Sequence, residues 1–122
     1  LSLVAEDATR IVGHVAFSPV SISDGNEGWF GLGPVSVAPE LQRQGIGSAL
    51  IKRGIADQRE SGGRGIVLIG DPAYYARFGF ECDPALRYDG AEPRYFQRLV
   101  LEGDAPRGAV SFAPAFSAAR SA

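Results

Sequence analysis

The stretch VAPELQRQGIGSALIKRG, residues 37 to 54, decides the fold, because it passes from an apolar segment through a proline and two glycines into a helical pattern. The pattern predicts a helix over residues 45 to about 60. Gly45 and Gly47 stand where serine or aspartate is the usual cap. Either the backbone must come close to a ligand, or the chain makes an ordinary tight turn. The apolar positions at helical spacing are Ile46, Leu50, Ile51, Gly54 and Ile55.

On both sides of this helix the chain alternates between strand patterns and turn signals. Residues 1 to 6 and 11 to 18 read as a hairpin with a turn at 7 to 10, and residues 29 to 37 as a strand interrupted by Gly31, Gly33 and Pro34. Residues 66 to 70 read as a strand buried on both faces. Asp71 and Pro72 start a short helix that Gly79 ends. Two more strands are predicted, one beginning at residues 80 to 82 and one over 95 to 102. The result is a mixed α/β sheet with parallel character in its middle.

Composition and charge restrict the classes of function. The 122 residues are 45% hydrophobic and 21% charged, which predicts a single globular domain over residues 1–122. The net charge is -2 and the twelve basic residues are scattered, which argues against nucleic acid as a partner. No apolar run approaches the roughly 20 residues that span a bilayer, so no membrane partner is predicted. The lone Cys82 cannot form an internal disulfide, which favours the cytoplasm.

A glycine loop between a strand and a helix favours phosphate, because the first N–H groups of a helix lack intrahelical partners and the helix dipole adds positive charge there. Two known phosphate patterns fail. The P-loop pattern needs a lysine directly after its second glycine, but Ser48 follows Gly47. The dinucleotide pattern needs a third glycine where Leu50 stands.

The pattern that fits is Gln-x-x-Gly-x-Gly, beginning at Gln42, together with YYARFGFE at residues 74 to 81. In both features the chain resembles the GNAT superfamily of acyl-CoA-dependent N-acetyltransferases, and its ending, GAVSFAPAF, resembles a subgroup of small bacterial members. The resemblance implies a GNAT-like fold, acetyl-CoA as cosubstrate, and a small-molecule or peptide amine as acceptor. It is compatible with a homodimer and implies no metal. It also implies a further strand and two helices before Leu1.

The resemblance implies a role for each part of the site. Backbone groups of Val35 and Val37 would hold the pantetheine arm, and the Val35 N–H would polarise the acetyl carbonyl. Tyr75 would be the acid that protonates the leaving thiolate. The loop would bind the pyrophosphate through Gln42, Arg43, Gln44, Gly45, Ile46, Gly47 and Ser48.

Several assignments stay open at this stage. The general base is Glu27, His14, Asp71 or a chain of water molecules, although His14 on an apolar strand and Glu27 in a turn have ordinary structural explanations. Tyr74 and Trp29 read as packing residues, and Cys82 as a small buried hydrophobe. Many GNAT members carry an asparagine before the short helix, where this chain has residues 70 to 72, Gly-Asp-Pro. A non-catalytic acyl-CoA-binding module, acting as a sensor or a partner-binding surface, is the alternative function.

Overall fold

The computed structural model describes residues 2–6, 11–39, 42 and 45–112. Seven strands and two α-helices follow one another in these residues, and single turns of 3-10 helix cover Ala76–Phe78 and Pro93–Tyr95. The elements are β1 Ser2–Glu6, β2 Ile11–Ile22, β3 Trp29–Val37, α1 Ile46–Glu60, β4 Gly65–Ile69, α2 Pro72–Tyr75, β5 Leu86–Arg87, β6 Phe96–Val100 and β7 Gly108–Phe112.

The strands form one mixed sheet in the order β5-β7-β2-β3-β4-β6, with β1 paired to β2. Strand β3 runs parallel to β4, while β1 and β3 are antiparallel to β2 and β6 is antiparallel to β4. The predicted mixed sheet with a parallel centre is therefore confirmed. The predicted antiparallel pairing of the first two strands is also confirmed, and the turn at residues 7 to 10 lies outside the described residues.

Strands β3 and β4 separate partway along their length. Their parallel pairing covers Trp29–Gly31 of β3 and ends at the pair Gly31 and Val67, so the rest of β3 has β2 as its neighbour. A bulge follows at once, because Val15 pairs with Val35 and Phe17 pairs with Leu32, which leaves one extra residue in β3. The bulge lets both Leu32 and Val35 face the same core. A fork therefore opens between the carboxyl ends of β3 and β4.

Helix α1 covers one face of the sheet. Its buried residues, including Leu50, Ile51 and Ile55, pack with Val15 and Phe17 of β2. Alternate residues of β4 enter opposite cores, Ile66 and Leu68 on the helix side and Val67 on the other, so this strand is buried on both faces as predicted. The short helix begins as predicted, with Asp71 Oδ1 accepting from the Ala73 N–H at 3.0 Å, and Gly79 ends the following turn at φ 96°.

Three features of the sheet differ from the prediction. The strand expected to begin at Phe80 is only an isolated bridge between Glu81 and Arg98. Strand β2 continues to Ile22, because its last three residues pair with β7. Strands β5 and β7 pair with each other and were not predicted. Strand β5 has only two residues, too few for a periodic pattern, and β7 pairs with the end of β2, which lies far away in the chain. Of the α-helices in the described part of the chain, none has the length and apolar character needed to cross a membrane.

Candidate functional site

A cavity of about 710 Å³ lies at the fork between β3 and β4. It brings together the end of β3, the glycine loop and the first turn of α1, and it includes two residues from α2 and the 3-10 turn that follows it. The described residues that line it are Val35, Val37, Gln42, Gly45, Gly47, Ser48, Tyr74 and Arg77.

The glycine loop ends at Gly45, which is the N-cap of α1 in the left-handed conformation, with φ 84° and ψ 5°. Gly45 has no side chain with which to cap the helix, and the first turn contains no acidic residue. The first bond into the helix runs from the Ala49 N–H to the Gly45 carbonyl at 2.9 Å. The N–H groups of Ile46, Gly47 and Ser48 therefore have no acceptor within the helix, and the helix dipole makes this end attractive to an anion.

Gly47 lies where α1 approaches β3 across the cavity. A Cβ added there would lie 3.6 Å from Val37 Cγ2 and 3.7 Å from Val35 Cγ1, which are ordinary contact distances. Ile46 takes no part through its side chain, which packs into the helix-side core. Its contribution to a ligand is limited to the backbone.

Gln42 links the loop to β3. Its Nε2 donates to the Val37 carbonyl at 3.3 Å, and its own N–H donates to the Pro39 carbonyl at 3.4 Å. The glutamine of the motif thus fixes the turn that leaves β3 while its exposed side chain lines the cavity. Arg43 and Gln44 lie outside the described residues.

Tyr74 and Arg77 form a wall of the cavity that the sequence interpretation missed, since it treated Tyr74 as a packing residue and assigned nothing to Arg77. The Arg77 guanidinium carbon lies 4.4 Å from the centre of the Tyr74 ring, and Nε donates to the Tyr74 carbonyl at 2.8 Å. Their spacing of three residues on a helical turn was the signal available in the sequence, because residues at that spacing share a face.

Tyr75 does not line the cavity in this structure. Its ring lies against Gly70, where an added Cβ would clash with it, and edge-on to Phe80 with ring centres 6.0 Å apart. Two hydrogen bonds fix the backbone of Gly70. Its carbonyl accepts from Gln97 Nε2 at 3.0 Å, and its N–H donates to the Tyr95 carbonyl at 2.9 Å. Burial, and secondarily the neighbouring Tyr74, raises the pKa of the Tyr75 hydroxyl above its ordinary value of 10.0, so this hydroxyl keeps its proton at neutral pH.

The three candidate bases occupy different places. Glu27 is exposed in the turn before β3, and the strand from Trp29 to Val35 spans roughly 20 Å at about 3.3 Å per residue, so Glu27 lies near the end of β3 away from the fork. His14 is half-buried on β2 opposite Ser36, on the face of the sheet away from α1. Asp71 is exposed and caps the short helix.

Two of the packing assignments can be checked directly. Cys82 is exposed, with Sγ donating to the Arg94 carbonyl at 3.3 Å, so the expectation of a buried cysteine is wrong. It lies beyond the short strand bridge, where the chain has already left the sheet. Trp29 is 2% exposed and packs in the core opposite α1, which confirms its structural role.

Comparisons with known proteins agree with this geometry. Residues 1–82 match the family described as Acetyltransferase (GNAT) domain. The uncharacterized N-acetyltransferase YhbS of Escherichia coli strain K12 is 38% identical over 113 residues, which are 88% of this chain and 67% of YhbS. The chain therefore belongs to the GNAT acetyltransferase family, and the resemblance stated from its sequence is confirmed.

Solved structures that share the fold include two that were crystallised with the cosubstrate or its product. A GNAT family acetyltransferase from Brucella melitensis in complex with acetyl-CoA superposes with a TM-score of 0.80 and 48% identity, covering 94% of this chain and 67% of that one. Escherichia coli YhbS in complex with CoA superposes with a TM-score of 0.88 and 32% identity, covering 95% and 68%. The expected GNAT-like fold is confirmed.

Proposed function

We propose that this protein is an N-acetyltransferase that transfers the acetyl group of acetyl-CoA to a primary amine by direct attack in a ternary complex. The observation that carries the proposal is the cavity at the fork, where the uncapped first turn of α1 and the separated end of β3 line one space. Relatives that share the fold hold acetyl-CoA or CoA, which supports acetyl-CoA as the cosubstrate here.

The residues present fit that cosubstrate. The N–H groups from Gln44 to Ser48 would bind the pyrophosphate, because a helix start with no acidic residue in its first turn favours negative charge. The exposed Gln42 would border the same phosphates. Backbone groups of Val35 and Val37 would hold the pantetheine arm along the end of β3, which β4 leaves uncovered.

The reaction needs a donor that stabilises the carbonyl oxygen, an acid for the leaving thiolate and a base for the attacking amine. The amine nitrogen bonds to the acetyl carbonyl carbon, the carbon–sulfur bond breaks, and the bond electrons leave on sulfur. The Val35 N–H would stabilise the negative charge that develops on the carbonyl oxygen. The Tyr75 hydroxyl would donate its proton to the departing thiolate, and the desolvation that raises its pKa keeps it protonated for that purpose.

The amine must lose a proton to a base or to water. Of the side chains considered, His14 is the one whose strand position adjoins the end of β3, since it pairs with Ser36 between Val35 and Val37. It faces the side of the sheet away from α1, so it would serve an amine that approaches the fork from that side. Asp71, Glu27 and a water chain are the alternatives, and Glu27 lies before the start of β3, at the end of that strand away from Val35.

The test compares two adjacent tyrosines. Tyr75→Phe keeps the ring on Gly70 and removes only the hydroxyl, so kcat should fall about 10²-fold, the low end for a positioned acid, because thiolates leave readily. Acetyl-CoA affinity, measured by calorimetry, should change little. Tyr74→Phe is the matched control and should lower kcat much less. Equal effects of the two substitutions, or a Tyr75→Phe effect on affinity alone, would remove the acid role from Tyr75.

A non-catalytic acyl-CoA-binding module is the second candidate, and one observation favours it. Tyr75 is absent from the cavity wall, where Tyr74 and Arg77 stand instead. The two functions separate in one experiment with acetyl-CoA and a panel of primary amines. A sensor binds acetyl-CoA and releases no free thiol with any amine, whereas the enzyme releases thiol in proportion to acetylated product.

A further inference from the structure

Arg77 is the only charged side chain among the described residues that line the cavity at the fork. It belongs to the 3-10 turn after α2, some thirty residues beyond the glycine loop, and forms part of the same cavity wall. The loop offers neutral N–H groups and a partial helix charge. Arg77 adds a full positive charge to this space.

The side chain is held in position by its own segment. The guanidinium lies 4.4 Å over the Tyr74 ring, and Nε donates to the Tyr74 carbonyl at 2.8 Å. Of the five N–H donors of a guanidinium, this leaves the four on the two terminal nitrogens for another partner. No carboxylate in the described ranges forms an ion pair with Arg77. Among the residues that the structure describes, the paired donors of this fixed cation have no carboxylate partner.

We infer that Arg77 is a cosubstrate-binding residue that pairs with a phosphate group of CoA. The inference rests on the proposed function, because it takes this cavity as the acetyl-CoA site. Paired guanidinium donors match the spacing of phosphate oxygens, and an arginine stacked on a ring loses little further freedom on binding. The diphosphate and the 3′-phosphate share this chemistry, and the ligands chosen for the experiment distinguish them.

The chain contains a matched control in Arg94. Its guanidinium lies 4.6 Å over the adjacent Tyr95 ring, much as Arg77 lies over Tyr74. Nε of Arg94 is instead paired with Glu92 at 2.9 Å, and the residue lines a different cavity, of about 660 Å³, beside Phe96. Removing either arginine changes the net charge equally. A difference between the two variants therefore reports the position of the charge and not its amount.

The experiment measures dissociation constants by titration calorimetry, without any acceptor, for CoA, 3′-dephospho-CoA and pantetheine. Arg77→Ala should weaken CoA binding about tenfold, at the low end for hydrogen bonds to a charged group because the site is open to water. Arg94→Ala should change it less than twofold. Pantetheine, which has no phosphate, should bind both variants as it binds the unsubstituted protein. The CoA affinity of Arg77→Lys should lie between those of Arg77→Ala and the unsubstituted protein, because lysine keeps the charge and loses the paired donors.

The two phosphate sources give different patterns. If Arg77 pairs with the 3′-phosphate, 3′-dephospho-CoA should bind the Arg77→Ala variant and the unsubstituted protein equally. If it pairs with the diphosphate, Arg77→Ala should weaken the binding of both CoA and 3′-dephospho-CoA by about tenfold. Either pattern supports the inference.

Three results would overturn it. These are an Arg77→Ala effect on CoA below twofold, an equal effect of Arg94→Ala, or an equal loss for pantetheine. Thermal unfolding checks that the variants fold, and Arg77→Gln replaces Arg77→Ala if that variant does not. Failure of the unsubstituted protein to bind CoA would instead contradict the proposed function itself, which separates the two claims.

Discussion

Gly54 in the middle of α1 gives the sharpest prediction about the fold, because the sheet lies directly beneath it. An added Cβ would stand 2.2 Å from Phe17 Cε1 and 2.3 Å from its Cζ, against about 3.5 to 4.0 Å for a favourable carbon contact. The Phe17 ring is 2% exposed, so it cannot swing into solvent. Either the helix or the ring must move by more than about 1 Å to admit a methyl group.

The expected magnitude follows from two opposing terms. Overpacking a core costs about 1–3 kcal/mol, and a displacement of this size belongs near the upper end. Replacing glycine by alanine within a helix stabilises the helix by about 1 kcal/mol. Gly54→Ala should therefore lower the free energy of unfolding by about 2 kcal/mol, which for a chain of this size lowers Tm by roughly 8 °C.

Gly47→Ala is the matched control on the same helix. Its Cβ would make ordinary contacts of 3.6 and 3.7 Å with Val37 and Val35, so Tm should stay unchanged or rise slightly. Thermal unfolding followed by circular dichroism at 222 nm compares the two variants. The packing argument fails if Gly54→Ala unfolds within 2 °C of the unsubstituted protein, or if both variants lose stability alike.

Three further outcomes are expected. Gly45→Ala, which forces a side chain onto φ 84°, should cost about 1–2 kcal/mol and weaken CoA binding in calorimetry; unchanged stability would mean that the loop relaxes freely. The Ala85 N–H, and then Arg98, hold the pKa of Asp83 below its ordinary value of 3.8, so this carboxylate stabilises the fold above that pH and the contribution is lost as pH falls through the lowered pKa. Acid denaturation should accordingly be less steep in Asp83→Asn, and identical curves would contradict the assignment. Because the folded state raises the pKa of Tyr75, stability should fall as pH rises above about 10, and Tyr75→Phe should resist alkaline unfolding better; a parallel decline in both proteins would refute this.

The family, and the glycine loop and helix start that line the cavity, could be predicted from the sequence. The reason is that these features depend on residues close together in the chain. A helix start at Gly45, a strand buried on both faces at Gly65–Ile69, and the Asp71 cap each follow from side chains within a few positions. Their local conformations hold in any fold that keeps the hydrophobic face of α1 on a sheet.

The roles of individual side chains depended on residues far apart in the chain. Tyr74 and Tyr75 have the same local sequence signal, yet one lines the cavity and the other packs on Gly70, which hydrogen bonds to Gln97 of β6 and to Tyr95 just before it hold in place. The contribution of Arg77 to the cavity likewise appears only when the short helical segment comes to the fork.

Contacts between distant segments also account for two other differences from the sequence prediction, at Cys82 and at β7. Cys82 is exposed and directly follows Glu81, whose isolated bridge to Arg98 is all that the described residues form of the strand expected after Phe80. Strand β7 forms because the last three residues of β2 offer it a partner. Local sequence fixes which conformations a segment favours, while its neighbours in the sheet decide which side chains meet, since those contacts depend on packing summed over the whole chain.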